Sequence, residues 1–372
     1  MDTTKRQELI AIANKFATKS PVTEVKPLGD GLINDSFIAS TGNADECRYV
    51  LQRINNNIFT DVDGLMNNIA AVTDHLRDKL RAEGVAEEKL DDLVIRFLPT
   101  ADGKLYYYDE ATKGYWRLMV FISNTDTRSE VTPDSARAAG ATFGDFESRL
   151  ADLDANLIET IPDFHNMELR LRQFQDAVGA DVAGRLEANR ELVDDLMRRG
   201  EEMCVAERLH REGKLPKRVC HCDTKVNNML YDKGTDNVRC VIDLDTVMPS
   251  FVFSDYGDFL RSGACTTAED EPDLDKIGFD LDIYRAFTEG YLSTAGSFLT
   301  DVERDMLPYA ARLFPYMQAV RFLTDYLNGD TYYKIKYPEH NLVRTLAQRR
   351  LLECVEQAEP QLREIVAECS AK

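Results

Sequence analysis

Cysteine is sparse in this sequence, and long apolar runs are missing. The 372 residues contain 8 cysteines with no pair spaced Cys-x-x-Cys, which favours reduced thiols and a cytoplasmic protein over a disulfide framework. Cys220, His221 and Cys222 could ligate a metal, but two thiols without a second pair make a poor zinc site, and small buried thiols are the favoured interpretation. No stretch approaches the ~20 apolar residues of a transmembrane helix, and the amphipathic segment 7–16 is no signal peptide.

Positive charge is also in deficit. There are 45 Lys and Arg residues against 65 Asp and Glu, a net charge of −20. A field of that sign repels nucleic acid and anionic membranes, so we expect neither as a partner. An anionic substrate would need its charge met locally, by metal ions or backbone N–H groups. The 44% hydrophobic and 30% charged content is that of an ordinary globular protein.

The residue patterns predict an α+β fold in two lobes. Strands are expected near 22–28, 35–39, 48–54, 93–98, 105–108 and 115–122, with one helix whose apolar face runs from Leu65 to Leu80. From Thr132 onward helical periodicity dominates, apart from a strand-rich insert at 218–245; the expected helices are 133–150, 167–177, 185–212, 281–297, 302–328 and 340–370. We therefore predict a small antiparallel-sheet domain at 1–122 and a larger, mainly helical domain at 123–372.

The segment from His221 to Asp245 carries the densest chemical pattern. Asp223 and Asn228 stand five positions apart, as in the catalytic loop of protein kinases, where the Asp accepts the proton of the attacking hydroxyl and the Asn holds magnesium. A second apolar strand then delivers Asp243, which matches the metal-binding aspartate of kinases. An ordinary polar loop is the alternative interpretation, and the joint spacing disfavours it.

These segments resemble the aminoglycoside phosphotransferase and choline kinase superfamily, whose members have a protein-kinase-like fold and phosphorylate small molecules. Longer strings are similar to the N-acetylhexosamine 1-kinases, and they span most of the chain: 28–37, 49–55, 221–230, 241–249, 254–261 and 321–333. The resemblance implies a role for each matching residue. They are Asp223 as catalytic base, Lys225 as a charge neutraliser, Asn228 and Asp243 as Mg²⁺ ligands, Asp245 as an accessory ligand, and His221 and Asp255 as supports behind them.

The resemblance also implies a nucleotide-covering turn at Gly29 and Gly31, ending at Asn34, which could touch sugar or phosphate. One departure from the family concerns the strand that follows. Gln52 stands where kinases carry a phosphate-binding lysine, and Arg53 points to the opposite face of the strand. Either a bulge redirects Arg53, or the phosphates depend more on magnesium and the turn.

The expected activity is transfer of a phosphoryl group from ATP, with Mg²⁺, to the anomeric hydroxyl of an N-acetylhexosamine. Arg321 and Tyr332 are the candidate sugar-binding residues, although they could equally be a surface arginine and a packed tyrosine. The partners are then a nucleotide and a small sugar. Two alternatives stay open: a kinase of this fold for choline, homoserine, methylthioribose or an aminoglycoside, and a kinase-like binding protein without turnover. The sequence leaves the oligomeric state undetermined.

Overall fold

The computed structural model describes residues 1–28, 34–44 and 46–371, which form two compact units. The first unit contains Met1–Asp126, Asp152–Ile161 and Leu230–Val247, and the second contains Thr127–Ala151, Pro162–Met229 and Met248–Lys372. The fold is α+β, as predicted, with a small antiparallel sheet at the N-terminus and a largely helical C-terminal region. The division into a nucleotide-binding lobe at 1–122 and a catalytic, substrate-binding lobe at 123–372 stays a prediction.

A five-stranded antiparallel sheet forms the centre of the first unit. Its strands are β1 (Val22–Pro27), β2 (Asp35–Thr41), β3 (Tyr49–Ile54), β4 (Tyr107–Asp109) and β5 (Gly114–Val120), in the order β1-β2-β3-β5-β4. Strands β3 and β5 pair without interruption from Tyr49 opposite Val120 to Ile54 opposite Tyr115. This register places Gln52 beside Arg117.

Two helices of the first unit begin at aspartate caps. Helix α1 (Thr3–Ala13) starts after Asp2, whose side chain accepts from the Lys5 N–H, and α2 (Val62–Ala82) starts after Asp61. Apolar residues of α1, including Leu9 and Ile12, share one buried cluster with residues of the sheet such as Phe37 and Trp116. Four of the five apolar positions anticipated in α2 are buried, namely Leu65, Ile69, Val72 and Leu76, while Leu80 is half-buried.

The strand predicted at 93–98 is the main local error. Residues Glu87–Leu93 form helix α3 instead, with two glutamates in its first turn and Leu90 buried. The chain after it follows β5 with only spaced hydrogen bonds, from the Leu98 N–H to the Leu118 carbonyl and from the Val120 N–H to the Arg96 carbonyl. Within residues 93–98, the strand geometry is therefore limited to one isolated bridge, between Phe97 and Met119.

The predicted insert at 218–245 contains three short strands and contributes to two small sheets. Strand β7 (Arg218–Cys220) pairs antiparallel with β10 (Met248–Ser250), while β6 (Thr125–Asp126), β8 (Met229–Asp232) and β9 (Val238–Val241) form the other sheet. Residues 221–228 connect β7 to β8, and residues 242–247 connect β9 to β10. Both predicted acidic motifs therefore lie on connections between strands.

Helices dominate the second unit. They are α4 (Pro133–Leu150), α5 (Met167–Ala180), α6 (Arg190–Met203), α7 (Val205–Arg211), α8 (Phe253–Gly263), α9 (Leu281–Ala295), α10 (Asp301–Asp305), α11 (Leu307–Leu327) and α12 (His340–Ser370). The predicted cap at Thr132 is confirmed, with Pro133 in the first turn. The single helices predicted at 185–212 and 302–328 are each interrupted, at Cys204 and Met306, where the backbone leaves helical geometry.

Close packing of α4 against α9 depends on glycine. A Cβ on Gly140 would lie 2.2 Å from the Phe287 carbonyl oxygen, and one on Gly290 would lie 2.0 Å from the Arg137 carbonyl oxygen. Neither position accepts a larger residue without moving the helices apart. Among the helices of the described residues, none is long and apolar enough to cross a membrane.

Candidate active site

The connection at 221–228, the candidate catalytic loop (hereafter the catalytic loop), is held by one buried aspartate. Asp255 lies in the first turn of α8, fully buried, and its two carboxylate oxygens accept the backbone N–H groups of His221 and Cys222, each at 2.7 Å. The Thr224 hydroxyl donates to the Asp255 carbonyl at 2.6 Å. These bonds hold Cys222 in the left-handed region (φ 62°), a conformation uncommon for residues other than glycine. The loop therefore has one conformation specified by α8.

Asp223 lies at the centre of this loop. Its Oδ1 is 2.7 Å from the Lys225 ammonium, and its Oδ2 accepts from the Asn228 side-chain amide at 3.0 Å. Asn228 also donates to the Asp223 carbonyl at 2.8 Å. Because both bonds use the amide nitrogen of Asn228, its carbonyl oxygen is the atom left to bind a cation. The Asp223 side chain is 21% exposed, so it is reachable by a small molecule.

The electrostatics of the loop favour an ionised Asp223. Burial by itself would raise the pKa of Asp223, but the Lys225 ammonium, with smaller contributions from His221 and Asn228, outweighs it and lowers the pKa. Burial also opposes the charge on Lys225, and the carboxylates of Asp223 and Asp258 nevertheless raise the pKa of that lysine. At neutral pH the pair is a carboxylate beside an ammonium.

Behind the loop lies an apolar and carboxylic layer. The His221 ring is fully buried, edge-on to Phe143 at 5.7 Å, and its Nδ1 accepts from the Asp223 N–H at 3.3 Å. Glu147 approaches Asp255, and burial together with the charge of Asp255 raises the pKa of Glu147 well above its ordinary value. Burial also raises the pKa of Asp255, although His221 and the two backbone N–H groups that Asp255 accepts oppose this. The larger upward shift at Glu147 favours a proton there, which avoids two buried negative charges.

In the first unit, Asp243 and Asp245 occupy different environments. Asp243 is exposed and left-handed (φ 60°), immediately before a 3₁₀ turn at Leu244–Thr246. Asp245 is buried; its Oδ1 is 2.5 Å from Arg117 Nη1, and its Oδ2 accepts from the Asn34 amide at 2.7 Å. The carboxylate of Asp245 is thus already engaged by a cation and an amide of this chain.

Gln52 and Arg53 lie on opposite faces of β3. The Gln52 carbonyl oxygen accepts from Arg117 Nε at 2.9 Å and from Arg117 Nη2 at 2.5 Å. Arg53 lines a cavity of about 320 Å³ beside α1, together with Leu9 and Trp116. The pairing of β3 with both neighbours is regular, so no bulge turns Arg53 towards Gln52. Gly29 and Gly31, the predicted nucleotide-covering turn, lie outside the described residues.

Arg321 and Tyr332 line one cavity of about 440 Å³ in the second unit, which we call the Arg170–Arg321 cavity. Its walls come from α5, α11 and the connection after α11, and its lining includes Arg170, Gln173, Thr324, Asn328 and Tyr333. The Arg321 guanidinium lies 5.7 Å from the centre of the Tyr333 ring. Tyr332 is 72% exposed, so its ring stands at the rim and is no core residue.

Asp325 fixes the connection that carries the two tyrosines. Its carboxylate accepts the backbone N–H groups of Thr331, Tyr332 and Tyr333 at 2.8–3.0 Å, and the Asn341 amide at 2.9 Å. Within residues 1–28, 34–44 and 46–371, two residues that line this cavity have a buried polar atom without a hydrogen-bond partner: Arg170 (Nε) and Tyr333 (the hydroxyl oxygen). Burial and the charge of Arg321 lower the pKa of Arg170, as expected for two neighbouring cations.

Sequence reasoning missed Arg117, Arg170 and Tyr333. A detectable signal existed for Arg117, because a charge inside the apolar strand Gly114–Val120 is costly to bury without a partner. No comparable signal marked Arg170, because it comes close to Tyr333 only when α5 packs against the segment after α11.

Each unit carries an oxygen donor of the kind that hard divalent cations bind. The Asn228 amide oxygen and the exposed Asp243 carboxylate are oxygen ligands of the kind that Mg²⁺ prefers, and each lies on a short connection after or before a strand. Asp223, held ionised by Lys225, can accept a proton from a hydroxyl group. The second unit thus provides a proton acceptor, Asp223, and each unit provides an oxygen donor; phosphoryl transfer uses groups of both kinds.

Comparison with known proteins agrees with this chemistry. Residues 24–291, more than half of the chain, match the family model described as "Phosphotransferase enzyme family". The chain belongs to that family. The match includes the catalytic loop, Asp243 and Asp255, so the superfamily inferred from these motifs is confirmed.

Solved structures share the fold of this phosphotransferase at low sequence identity. A spectinomycin phosphotransferase in complex with ADP and spectinomycin is 13% identical, with a TM-score of 0.55 and coverage of 97% of this chain and 100% of that one. An amicoumacin kinase in complex with AMP-PNP, Ca²⁺ and Ami is 15% identical (TM-score 0.57, 92% of each chain). A choline/ethanolamine kinase family protein from Mesorhizobium loti is 16% identical (TM-score 0.55, 99% of each chain).

Proposed function

We propose that this phosphotransferase moves the γ-phosphoryl group of ATP to the anomeric hydroxyl of an N-acetylhexosamine, N-acetylglucosamine or N-acetylgalactosamine, giving the sugar 1-phosphate and ADP. The catalytic loop supports the reaction type, since Asp223 is an ionised, partly exposed carboxylate. The structures of relatives with ADP or AMP-PNP support a nucleotide as the donor. The resemblance of the longer sequence strings supports the sugar.

Each residue of the chain has a defined task in this proposal. Asp223 orients the acceptor hydroxyl and takes its proton, while Lys225 keeps the carboxylate ionised and offsets charge on the transferring group. Asn228 and Asp243 provide oxygen ligands for Mg²⁺, and His221 and Asp255 hold the loop from behind. Bound Mg²⁺ would neutralise the charge of the phosphates, which an acidic protein cannot do through its overall field. Catalysis then depends on positioning more than on covalent chemistry.

The lining of the Arg170–Arg321 cavity is the observation that supports a sugar. Two arginines and two acids, Asp176 and Asp325, line it, so their formal charges cancel and the cavity has no excess negative charge to attract a cationic acceptor such as choline or an aminoglycoside. An N-acetylhexosamine offers hydroxyl and carbonyl oxygens to the arginines and a ring face to Tyr332. We therefore place Arg321 and Tyr332 among the acceptor-binding residues.

A panel of acceptors tests the proposal. ADP release is measured with N-acetylglucosamine, N-acetylgalactosamine, glucose, choline, homoserine, methylthioribose and an aminoglycoside, and phosphorus NMR locates the phosphate on any product. We expect turnover with an N-acetylhexosamine and an anomeric phosphate. Turnover with choline or an aminoglycoside alone, or a phosphate on the C6 hydroxyl, would refute the proposed acceptor. Failure with every acceptor would favour a kinase-like binding protein.

The Asp223→Asn variant provides the matched control. The amide keeps the size of the side chain but cannot accept a proton, so turnover should fall by a factor of about 10²–10⁴ while nucleotide affinity changes little. Near-normal turnover of Asp223→Asn would remove this residue from the role of base.

A further inference from the structure

Arg117 is the most deeply buried cation of the first unit's sheet. It lies in the middle of β5 and is only 2% exposed. Its guanidinium donates to the Gln52 carbonyl oxygen through Nε and Nη2, and to the Asp245 carboxylate through Nη1. The centre of the guanidinium also lies 5.4 Å from the Phe97 ring. A charge is retained at such depth only when its partners are fixed around it.

The neutral residue at position 52 follows from this geometry. Strands β3 and β5 are neighbours, and Gln52 stands directly opposite Arg117. The Gln52 amide completes a closed arrangement, because it accepts twice from Arg117 and donates to the Ser36 hydroxyl at 3.0 Å. A lysine at position 52 would bring its ammonium against the guanidinium, and two buried like charges repel strongly. A cation can therefore occupy position 52 or position 117, but not both.

Arg117 also connects the segments that we assign to nucleotide and metal. Asp245 lies two residues after Asp243, and its backbone carbonyl accepts from the Thr160 hydroxyl at 2.8 Å. The other oxygen of Asp245 binds Asn34, whose own carbonyl oxygen accepts from the Asn55 N–H at 2.9 Å. The guanidinium thus anchors the 243–245 turn to the sheet beside the start of β2.

We propose that Arg117 supplies, from β5, the buried cation that β3 lacks at position 52: it is held in place by Gln52 and supports the nucleotide site from within the sheet without contacting the phosphates. It acts as a positioning residue, since its charge orients Asp245 and so the turn that carries Asp243. The inference rests on the proposed function only in assuming that the protein binds a nucleotide with Mg²⁺.

Relocating the charge tests this assignment. Affinity for Mg²⁺·AMP-PNP is measured by titration calorimetry for the wild type, Arg117→Met, and the double variant Gln52→Lys with Arg117→Met. We expect Arg117→Met to bind at least tenfold more weakly. The double variant restores a cation at the neighbouring position. We therefore expect it to recover at least half of the lost affinity, measured on a logarithmic scale. Equal affinity of Arg117→Met and wild type, or no gain from the lysine, would overturn the assignment.

Two further variants separate charge from folding. Gln52→Lys alone places two cations side by side, so its unfolding temperature should fall and its nucleotide affinity should weaken; if both stay unchanged, the proposal is wrong, whether or not Arg117→Met folds. Lys26→Met removes one exposed positive charge from β1 of the same sheet and should bind like wild type. Equal weakening by Lys26→Met would show that net charge alone is responsible, against the proposal.

The same titration distinguishes this inference from the proposed function. If the wild type binds no Mg²⁺·AMP-PNP, the kinase proposal fails, and the assignment of Arg117 to a nucleotide site fails with it. If the wild type binds and Arg117→Met binds equally well, only the assignment of Arg117 is lost.

Discussion

Lys225 lowers the pKa of its neighbour Asp223. Its ammonium lies 2.7 Å from Asp223 and is the main group that keeps the pKa of that aspartate below the ordinary value. A protonated Asp223 cannot accept the hydroxyl proton, so the rate should fall as the pH drops through this pKa. In Lys225→Met the pKa of Asp223 rises, and the acidic limb of kcat/KM against pH should move to higher pH.

Lys225→Arg is the control for charge, since the guanidinium also stabilises the carboxylate and the acidic limb should stay near its wild-type position. A Lys225→Met enzyme that is slower at every pH, with its acidic limb unmoved, would show that Lys225 acts on the phosphoryl group alone and does not tune Asp223.

At the scale of single residues, local spacing predicts the catalytic loop and cannot predict the cavity. Asp223, Lys225 and Asn228 lie within six positions, so one loop conformation brings them together, and the sequence pattern already indicates it. Arg170 and Tyr333 meet only because α5, α11 and the following connection pack together. Gln52 is an intermediate example. The sequence shows that the residue is unusual, but its partner, Arg117, can be identified only from the register of β3 with β5.

At the scale of elements, the Asp325 carboxylate holds residues 331–333 of the connection after α11 in place. Asp325 binds three successive backbone N–H groups of residues 331–333, and these residues carry both tyrosines of the Arg170–Arg321 cavity. Asp325→Ala should raise KM for the acceptor by roughly tenfold, the equivalent of about 1.5 kcal/mol from one hydrogen bond to a charged group. KM for ATP serves as the internal control and should not change. A rise in both constants would point to general loosening of the fold.

Replacing glycine by alanine should have opposite effects on stability at the α4–α9 contact and near the end of α5. Gly140→Ala introduces a methyl 2.2 Å from a carbonyl oxygen, which should cost about 1–3 kcal/mol of unfolding free energy. A methyl group on Gly179, near the end of α5, would meet no atom of the described residues within 4 Å, so Gly179→Ala should stabilise by about 0.5 kcal/mol. Thermal unfolding should therefore shift in opposite directions; shifts of the same sign would contradict the packing argument.

Sequence periodicity predicts some elements of this fold and fails for others. The helix around Leu65–Leu80 is predictable because its apolar stripe faces one buried surface. The segment 93–98 is apolar and its pattern predicts a strand, yet it bonds to β5 only at intervals after a short helix. Whether such a segment completes a ladder depends on the neighbouring strand, which no local pattern records.

At the scale of the whole molecule, stability should favour mildly acidic pH. The net charge of −20 shrinks as carboxylates protonate, which reduces self-repulsion. One buried glutamate adds to this trend. Glu207 accepts from the Met167 N–H at 2.6 Å through one oxygen, while its other oxygen has no partner among the residues that the structure describes. Burial raises the pKa of Glu207 from 4.5 to about 7.

The sign of the effect follows from the two states. The unfolded chain ionises Glu207 near pH 4.5, whereas the folded protein holds its proton until about pH 7. The folded state therefore loses stability as the pH rises between these values, by on the order of 2–3 kcal/mol in total. Glu207→Gln keeps an oxygen for the Met167 N–H and removes the titration. It should be more stable than wild type at pH 8, with most of the gain absent at pH 5, in urea unfolding. The exposed Glu201→Gln should show no such dependence, and a Glu207→Gln gain equal at both pH values would exclude titration as its cause.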